Sequence, residues 1–235
     1  MGLNAALAVA ATRPDDIVSI AYTRAVRGSI ADLLRKAAAR RVPYNEVGDD
    51  DLARTADSTH HEGICLLVRP RATLDLAALT TRLTARTSRG ALALDRVGNP
   101  HNLGAIVRSA AYFGIDAVIF AAEDGHSPLT PAAVRVAEGG AEHVAIAVVP
   151  DLASALSALR ARGVSVVGAD AKATATLSAR PPKPPCVVVM GSEHAGLSPA
   201  VRAACDRLVA IPGRGALDSL NVSVAAGVLI AELAR

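Results

Sequence analysis

The sequence predicts an α/β protein in two parts, a small α/β unit followed by a larger one built on a parallel sheet. Three observations predict it. From residue 90 onward, short and continuously apolar runs recur at 91–94, 117–121, 144–149, 164–167, 186–190 and 208–211, with helical stretches between most of them. Strands that are apolar on both faces and alternate with helices are the pattern of a parallel sheet covered on each side. Residues 1–70 carry their own, shorter set of strand and helix signals, and 235 residues suit one large domain or two small ones. Composition agrees: 51% hydrophobic and 20% charged residues supply a core and exclude a mostly disordered chain. Aromatics are only 2% and alanines number fifty, so packing has to be close and rich in small residues.

Taken in order, 16–22 (DIVSIAY) reads as a strand. Residues 29–40 read as a helix with Ser29 as N-cap and Ile30, Leu33 and Leu34 on one face. A short strand at 42–47 precedes a helix opened by Asp49-Asp50-Asp51, and 63–68 (GICLLV) reads as a buried strand. Arg69-Pro70-Arg71 breaks the pattern, and 73–87 carries helical spacing at Leu74, Leu76, Leu79 and Leu83. This gives a first domain at 1–70, a linker helix within 71–89 and a second domain at 90–235. Helices are expected there at 103–112, 131–138, 152–160 and 220–234, the last with Leu220, Val224 and Val228 as its core face. The proline-rich run 180–185 reads as a stiff extended lead into a strand.

Several classes drop out. No run approaches the roughly 20 apolar residues of a membrane helix. The apolar start 1–11 lacks a basic beginning and leads into Arg13-Pro14-Asp15-Asp16, so it reads as structure rather than a signal peptide. Cys65, Cys186 and Cys205 are scattered and odd in number, which argues against a disulfide framework or a zinc site and for a reducing cytoplasm. The six histidines show no metal-ligand spacing, and no metal is expected. There is no GxGxxG after a first strand, no GxxxxGK[ST], no HExxH and no GxSxG.

Ligands of open α/β sheets bind beyond the carboxyl ends of the strands, so the segments after each strand matter most. Three stand out. Residues 95–108 (DRVGNPHNLGAIVR) place Asn102 near a helix start, able to cap it or to face a ligand, with Arg108 six residues on. Residues 191–198 (GSEHAGLS) form a glycine-rich turn after a core strand, with Glu193 at the strand's carboxyl edge or simply in a tight turn. Residues 212–223 (PGRGALDSLNVS) lead into the last helix, which Asp218 and Ser219 are placed to cap.

Together, 99–110 (NPHNLGAIVRSA), 189–198 (VMGSEHAGLS) and 211–226 (IPGRGALDSLNVSVAA) resemble the three ordered motifs of the SpoU, or TrmH-like, RNA 2′-O-ribose methyltransferases of the SPOUT superfamily. The resemblance covers about 90–235. The front 70 residues resemble the ribosomal-protein-L30e-like substrate-binding domain often fused ahead of it, with His61-Glu62-Gly63-Ile64 matching a recurring tetrapeptide. Gly2-Leu3-Asn4-Ala5 resembles the interior of that domain's first helix, so the chain is expected to start late.

The resemblance implies a knotted (trefoil) parallel-sheet α/β/α catalytic domain, S-adenosyl-L-methionine as cofactor, and a homodimer whose two subunits complete the site. It assigns cofactor contact to Met190, Gly191, Ser192, Gly196, Ile211, Pro212, Gly213, Ser219, Leu220 and Asn221. It assigns the chemistry to Asn102, Arg108, Glu193, Ser219 and Asn221: Arg108 as proton acceptor or phosphate clamp, the others orienting it, the ribose and the loops. His101 and His194 flank these positions.

Twenty-two of the 25 basic residues are arginine, a bias that suits phosphate contact and that GC-rich codons also produce. RNA contact is expected from Arg24, Arg27, Arg96, Arg108 and Arg214, among the arginines crowding 24–41, 82–96 and the third motif. With so few aromatics, recognition by shape and 2′-hydroxyls is expected over base stacking. Ribosomal RNA is favoured over transfer RNA as substrate. The alternative is a non-catalytic RNA-binding module on the same fold.

Overall fold

The computed structural model describes residues 1–122, 129–179 and 181–234, so Arg180 of the proline-rich run lies outside the described residues. The front unit contains α1 (Leu3–Thr12), β1 (Ile17–Tyr22), α2 (Ala31–Ala39), β2 (Tyr44–Glu46), α3 (Asp49–Ala56) and β3 (Ile64–Val68). Its three strands order β2-β1-β3, with β1 parallel to β2 and antiparallel to β3. Ala6, Val9, Ile20, Tyr22, Ile30, Leu33 and Ile64 make its core.

Two expectations for this unit need correction. Strand 63–68 is not buried throughout: Leu67 is 60% exposed, because β3 is an edge strand with β1 as its one neighbour. Ser29 does not cap α2; the helix starts after Ile30, whose amide is already held by Val26 in the preceding turn. The apolar start, read as structure, is indeed structured: it forms the helix α1, in line with the resemblance of 2–5 to a helix interior.

The larger unit contains α4 (Leu76–Leu83), β4 (Ala91–Asp95), α5 (Pro100–Phe113), β5 (Ala117–Ala121), α6 (Pro131–Val136), β6 (Ala145–Val149) and α7 (Leu152–Ala161). It continues through β7 (Ser165–Ala169), β8 (Cys186–Gly191), α8 (Pro199–Ala204), β9 (Arg207–Val209) and α9 (Val222–Leu233). Six strands order β6-β5-β4-β8-β7-β9, every pair parallel. Alternate side chains enter two separate cores. Leu92, Leu94, Val188 and Met190 pack with α5 and α9, while Ala91, Ala93, Val187 and Val189 pack with α4, α7 and α8. This two-sided burial is why the strands read as unbroken apolar runs.

The 73–87 segment is helical only as α4. Leu74 leaves the helix to pair with the β6 edge, its amide 2.8 Å from Ile146 O, and Asp75 caps α4 through Ala78 N at 2.8 Å. Leu79 and Leu83 are fully buried against the sheet, so α4 is also part of its cover. The last helix begins at Val222, not Leu220, and buries Val222, Ala226, Leu229 and Ile230. Leu220 and Val224 are half exposed, a correction that follows from the helix phase: Val224 lies two residues from both Val222 and Ala226, on the opposite side. The short helix α8 is not among the helices expected from the sequence.

The two units are joined by more than the chain. Arg13 forks onto Glu142 at 2.8 and 3.1 Å, Asn4 donates to Glu138 at 2.5 Å, and Glu62 accepts from Leu3 N at 3.0 Å while facing Arg135 at 3.9 Å. Between them sits the Gly139-Gly140 turn. A Cβ at Gly139 would stand 2.8 Å from the Ala8 Cβ of α1, and one at Gly140 only 3.0 Å from the Arg108 Cα of α5. Two glycines let this turn wedge between the front helix and α5.

Candidate active site

The carboxyl edge of the six-stranded sheet gathers the three singled-out segments. After β4, Asn99 caps α5, accepting from His101 N at 2.9 Å, with Pro100 at the first helical position. That leaves the Asn102 side chain for longer-range contacts. It is buried, and its Nδ2 donates to Glu193 Oε1 at 3.1 Å. Asn221 Nδ2 donates to the same Glu193 oxygen at 2.6 Å and lies 3.1 Å from Asn102 Oδ1. Val222 N adds a longer contact to Glu193 Oε1, at 3.4 Å. Glu193 thus places a carboxylate at the start of α9, where the helix dipole favours negative charge.

Asn221 serves two ends. Its Oδ1 accepts from Ser223 N at 2.9 Å and Ser223 Oγ at 2.6 Å, which makes it the N-cap of α9. Asp218 and Ser219, the expected caps, precede the helix by too many residues to reach its first amides and stand exposed in the loop.

The loop after β8 is tightly folded. Ser192 and Gly196 form a bridge, with Gly196 N to Ser192 O at 2.9 Å and Ala195 N to Ser192 Oγ at 3.2 Å. A Cβ at Gly191 would fall 2.2 Å from the Gly196 carbonyl carbon, so this position admits only glycine without rearrangement. Arg96 reaches the loop too, donating to Gly196 O at 3.3 Å and to Asp95 Oδ1 at 3.3 Å. Met190 is a core side chain, leaving only its backbone to the edge. Ile211 is half-buried against the main core, and Pro212, Gly213, Arg214, Ser219 and Leu220 line an exposed loop.

The cluster therefore unites Asn102, Glu193 and Asn221, and it leaves Arg108 and Ser219 outside. Arg108 is exposed on α5, about 120° around the helix from Asn102 by the 3.6-residue repeat. Among the described residues it makes no hydrogen bond or ion pair. Arg24 is exposed, and Arg27 pairs with Glu46 at 3.2 Å on the surface. His101 and His194 are exposed. Two residues that sequence reasoning missed are Asn99 and Asp95. Asp95 is a buried carboxylate whose only signal is an acid closing an apolar strand. Burial pushes the Cys186 thiol up to about 12 and Cys205 up to about 11, so neither is a nucleophile at neutral pH. Among the described residues, no group of three or more metal-ligating side chains comes together, and no helix is long and apolar enough to cross a membrane.

Fold and site together define a parallel α/β protein with its functional loops at one sheet edge, preceded by a small mixed-sheet unit. The chain belongs to the SpoU rRNA methylase family, which residues 90–231 match; residues 1–74 match the RNA 2′-O ribose methyltransferase substrate-binding family. An uncharacterized tRNA/rRNA methyltransferase of Escherichia coli O157:H7, YfiF, is 34% identical over 231 residues, covering 98% of this chain and 66% of its own length. One from Mycolicibacterium smegmatis is 39% identical over 207 residues, covering 88% and 66%. The chain thus spans 66% of the length of these curated relatives. Among solved structures, the SpoU methyltransferase AviRb from Streptomyces viridochromogenes, in complex with AdoMet, superposes with a TM-score of 0.82 at 25% identity, covering 100% of this chain and 88% of that one. An AdoMet-bound rRNA methyltransferase from Sinorhizobium meliloti gives 0.77 at 25% identity, covering 93% and 79%.

Proposed function

We propose that this protein methylates a ribose 2′-hydroxyl in structured RNA with S-adenosyl-L-methionine, in the cytoplasm, with ribosomal RNA ahead of transfer RNA. The observation that carries this reading is the Asn102–Glu193–Asn221 cluster, which ties the three motif segments together at one sheet edge. When bound, S-adenosylmethionine supplies a sulfonium methyl whose leaving group is a neutral thioether, so little acid catalysis is asked of the protein. The residues fit that group: the 190–196 loop stands on a glycine whose Cβ would strike the Gly196 backbone, and Ile211 and the half-exposed Leu220 are the apolar residues of the third motif segment. Backbone groups of 190–196, 211–213 and 219–221 hold the cofactor in this reading.

The attacking hydroxyl gives up its proton to solvent as the methyl is transferred. Arg108 is always charged, so it orients the nucleotide through its phosphate and stabilises the developing oxyanion. Because Arg108 faces away from its own cluster, a second copy of the chain supplies it, giving a homodimer. The exposed apolar residues Tyr112, Leu217, Leu220 and Val224, on α5, the 210–221 loop and α9, offer such a copy a surface to cover. The trefoil threading belongs to the same reading: β9 lies at the far sheet edge, yet Asn221 returns to the ends of β4 and β8. The front unit, residues 1–70, grips RNA through its arginines, with 71–89 joining it to the catalytic domain at 90–235.

The test is incubation with radiolabelled S-adenosylmethionine and unmodified ribosomal or transfer RNA, with Arg108→Ala as control. Label in one pool, lost in the control, is the expected result and selects the RNA class. Bound cofactor with no label in either pool would turn the reading to a non-catalytic RNA-binding protein.

A further inference from the structure

The loop that carries Glu193 is held from outside its own strand. β4 and β8 lie side by side, with Asp95 opposite Gly191, so both strands deliver their ends to the same place. Asp95 is buried, and its Oδ2 accepts from Ser198 N at 2.5 Å. Its Oδ1 faces Arg96 Nε at 3.3 Å, and Arg96 Nη2 donates to Gly196 O at 3.3 Å. A buried carboxylate needs such partners, because an unpaired one is costly. The Arg96 backbone sits in the left-handed region at φ 57°, a conformation that side-chain-bearing residues adopt rarely and keep only where their surroundings demand it. The last residue of β4 and the residue just after it thus grip two points, Ser198 and Gly196, of the loop after the neighbouring strand.

We propose that Asp95 and Arg96 are positioning residues for the cofactor site: they clasp the 192–198 loop so that its backbone is preset for S-adenosylmethionine, and Arg96 acts there rather than on RNA. This rests on the function proposed above. The clasp shares no hydrogen bond with the Asn102–Glu193–Asn221 cluster, and Glu193 in the same loop is held by its own three donors, so loosening the clasp acts more on cofactor affinity than on turnover. The Arg96 side chain is 52% exposed, and removing it leaves no cavity.

The experiment compares wild type, Arg96→Ala and Arg96→Lys. Calorimetry without RNA reads S-adenosylhomocysteine affinity, and steady-state kinetics read KM for cofactor, KM for RNA and kcat. Arg96→Ala is expected to weaken cofactor binding roughly ten-fold, the scale of one lost charged hydrogen bond. Its kcat at saturating cofactor falls by less, and KM for RNA stays near wild type. Arg96→Lys keeps the charge without the fork that spans Asp95 and Gly196, and recovers only part of the affinity. A raised KM for RNA with unchanged cofactor affinity would overturn the proposal and return Arg96 to RNA contact. Hydrogen exchange of the 192–198 amides, measured without any ligand, keeps the clasp separate from the function. Faster exchange in Arg96→Ala supports the clasp even in a protein that binds no cofactor, and unchanged exchange refutes it.

Discussion

The two sheets of this molecule distribute polarity in opposite ways. The six-stranded sheet is covered on both faces, so its strands are apolar along their lengths and carry polar residues only at their ends, such as Ser165, Arg207 and Asp95. The three-stranded sheet has open edges and surface ion pairs such as Arg27–Glu46 and Lys36–Asp32, and its charges are spread over the whole unit. A polar residue at the large sheet's edge therefore carries information about chemistry, whereas an arginine on the small unit carries little by itself. Surface pairs of that kind contribute about 0–1 kcal/mol.

The sharpest way to break this contrast is at the edge. Glu193→Gln removes the charge that Asn102 and Asn221 share, and methyl transfer is expected to fall by about two orders of magnitude on the scale of lost preorganised electrostatics. A near-normal single-turnover rate would deny the cluster its role. Next, Ile119→Ala in the fully buried middle of β5 should lower stability by about 2–5 kcal/mol in urea unfolding, against about 0.5 kcal/mol or less for Leu67→Ala on the front sheet. Equal losses would erase the difference between the two sheets.

Asn221 allows a finer cut. Asn221→Ala costs about 1 kcal/mol as a lost cap, whereas Asn221→Asp keeps a capping oxygen and sets a second carboxylate beside Glu193. Both should depress activity, and stability separates them; identical melting curves would show that the cap contributes nothing. Arg24→Ala and Arg214→Ala should each lower the slope of log affinity for RNA against log salt by about one, uniformly across sequences. A loss confined to one RNA sequence would make them readers of bases. The smallest effect concerns thiols: with pKa values pushed up by burial, Cys186 and Cys205 should stay unalkylated by iodoacetamide at pH 8 until the protein unfolds.

The same contrast explains what could be read in advance. The strands of the large sheet were legible because burial on both faces leaves an unbroken apolar run, as in β8 and β5. β3 misled because four of its five residues are aliphatic although it lies at a sheet edge. α1, in an alanine-rich stretch, was legible only by resemblance, and α8, six residues long, was not legible at all. Caps were misplaced by one to three positions, since Ser29, Asp218 and Ser219 are capping residue types while Ile30 is not. Asn102 and Glu193 stood out from their places after strands, and the resemblance gave Asn221 its role; their meeting across up to 119 residues is a property of the fold. Arg96 looked like one more basic residue, and nothing in its neighbours announces a left-handed backbone folded onto Gly196.

The Gly139-Gly140 wedge has a consequence for substrate choice. With α1 seated on one side of the turn and the Arg108 backbone on the other, the front unit is keyed to the helix that bears the proposed catalytic arginine. Two parts fixed in this way act as a caliper. In the proposed reading, this seam holds the RNA grip of the front unit at a fixed distance from the presented ribose, so an RNA would be selected for its span as much as for its sequence.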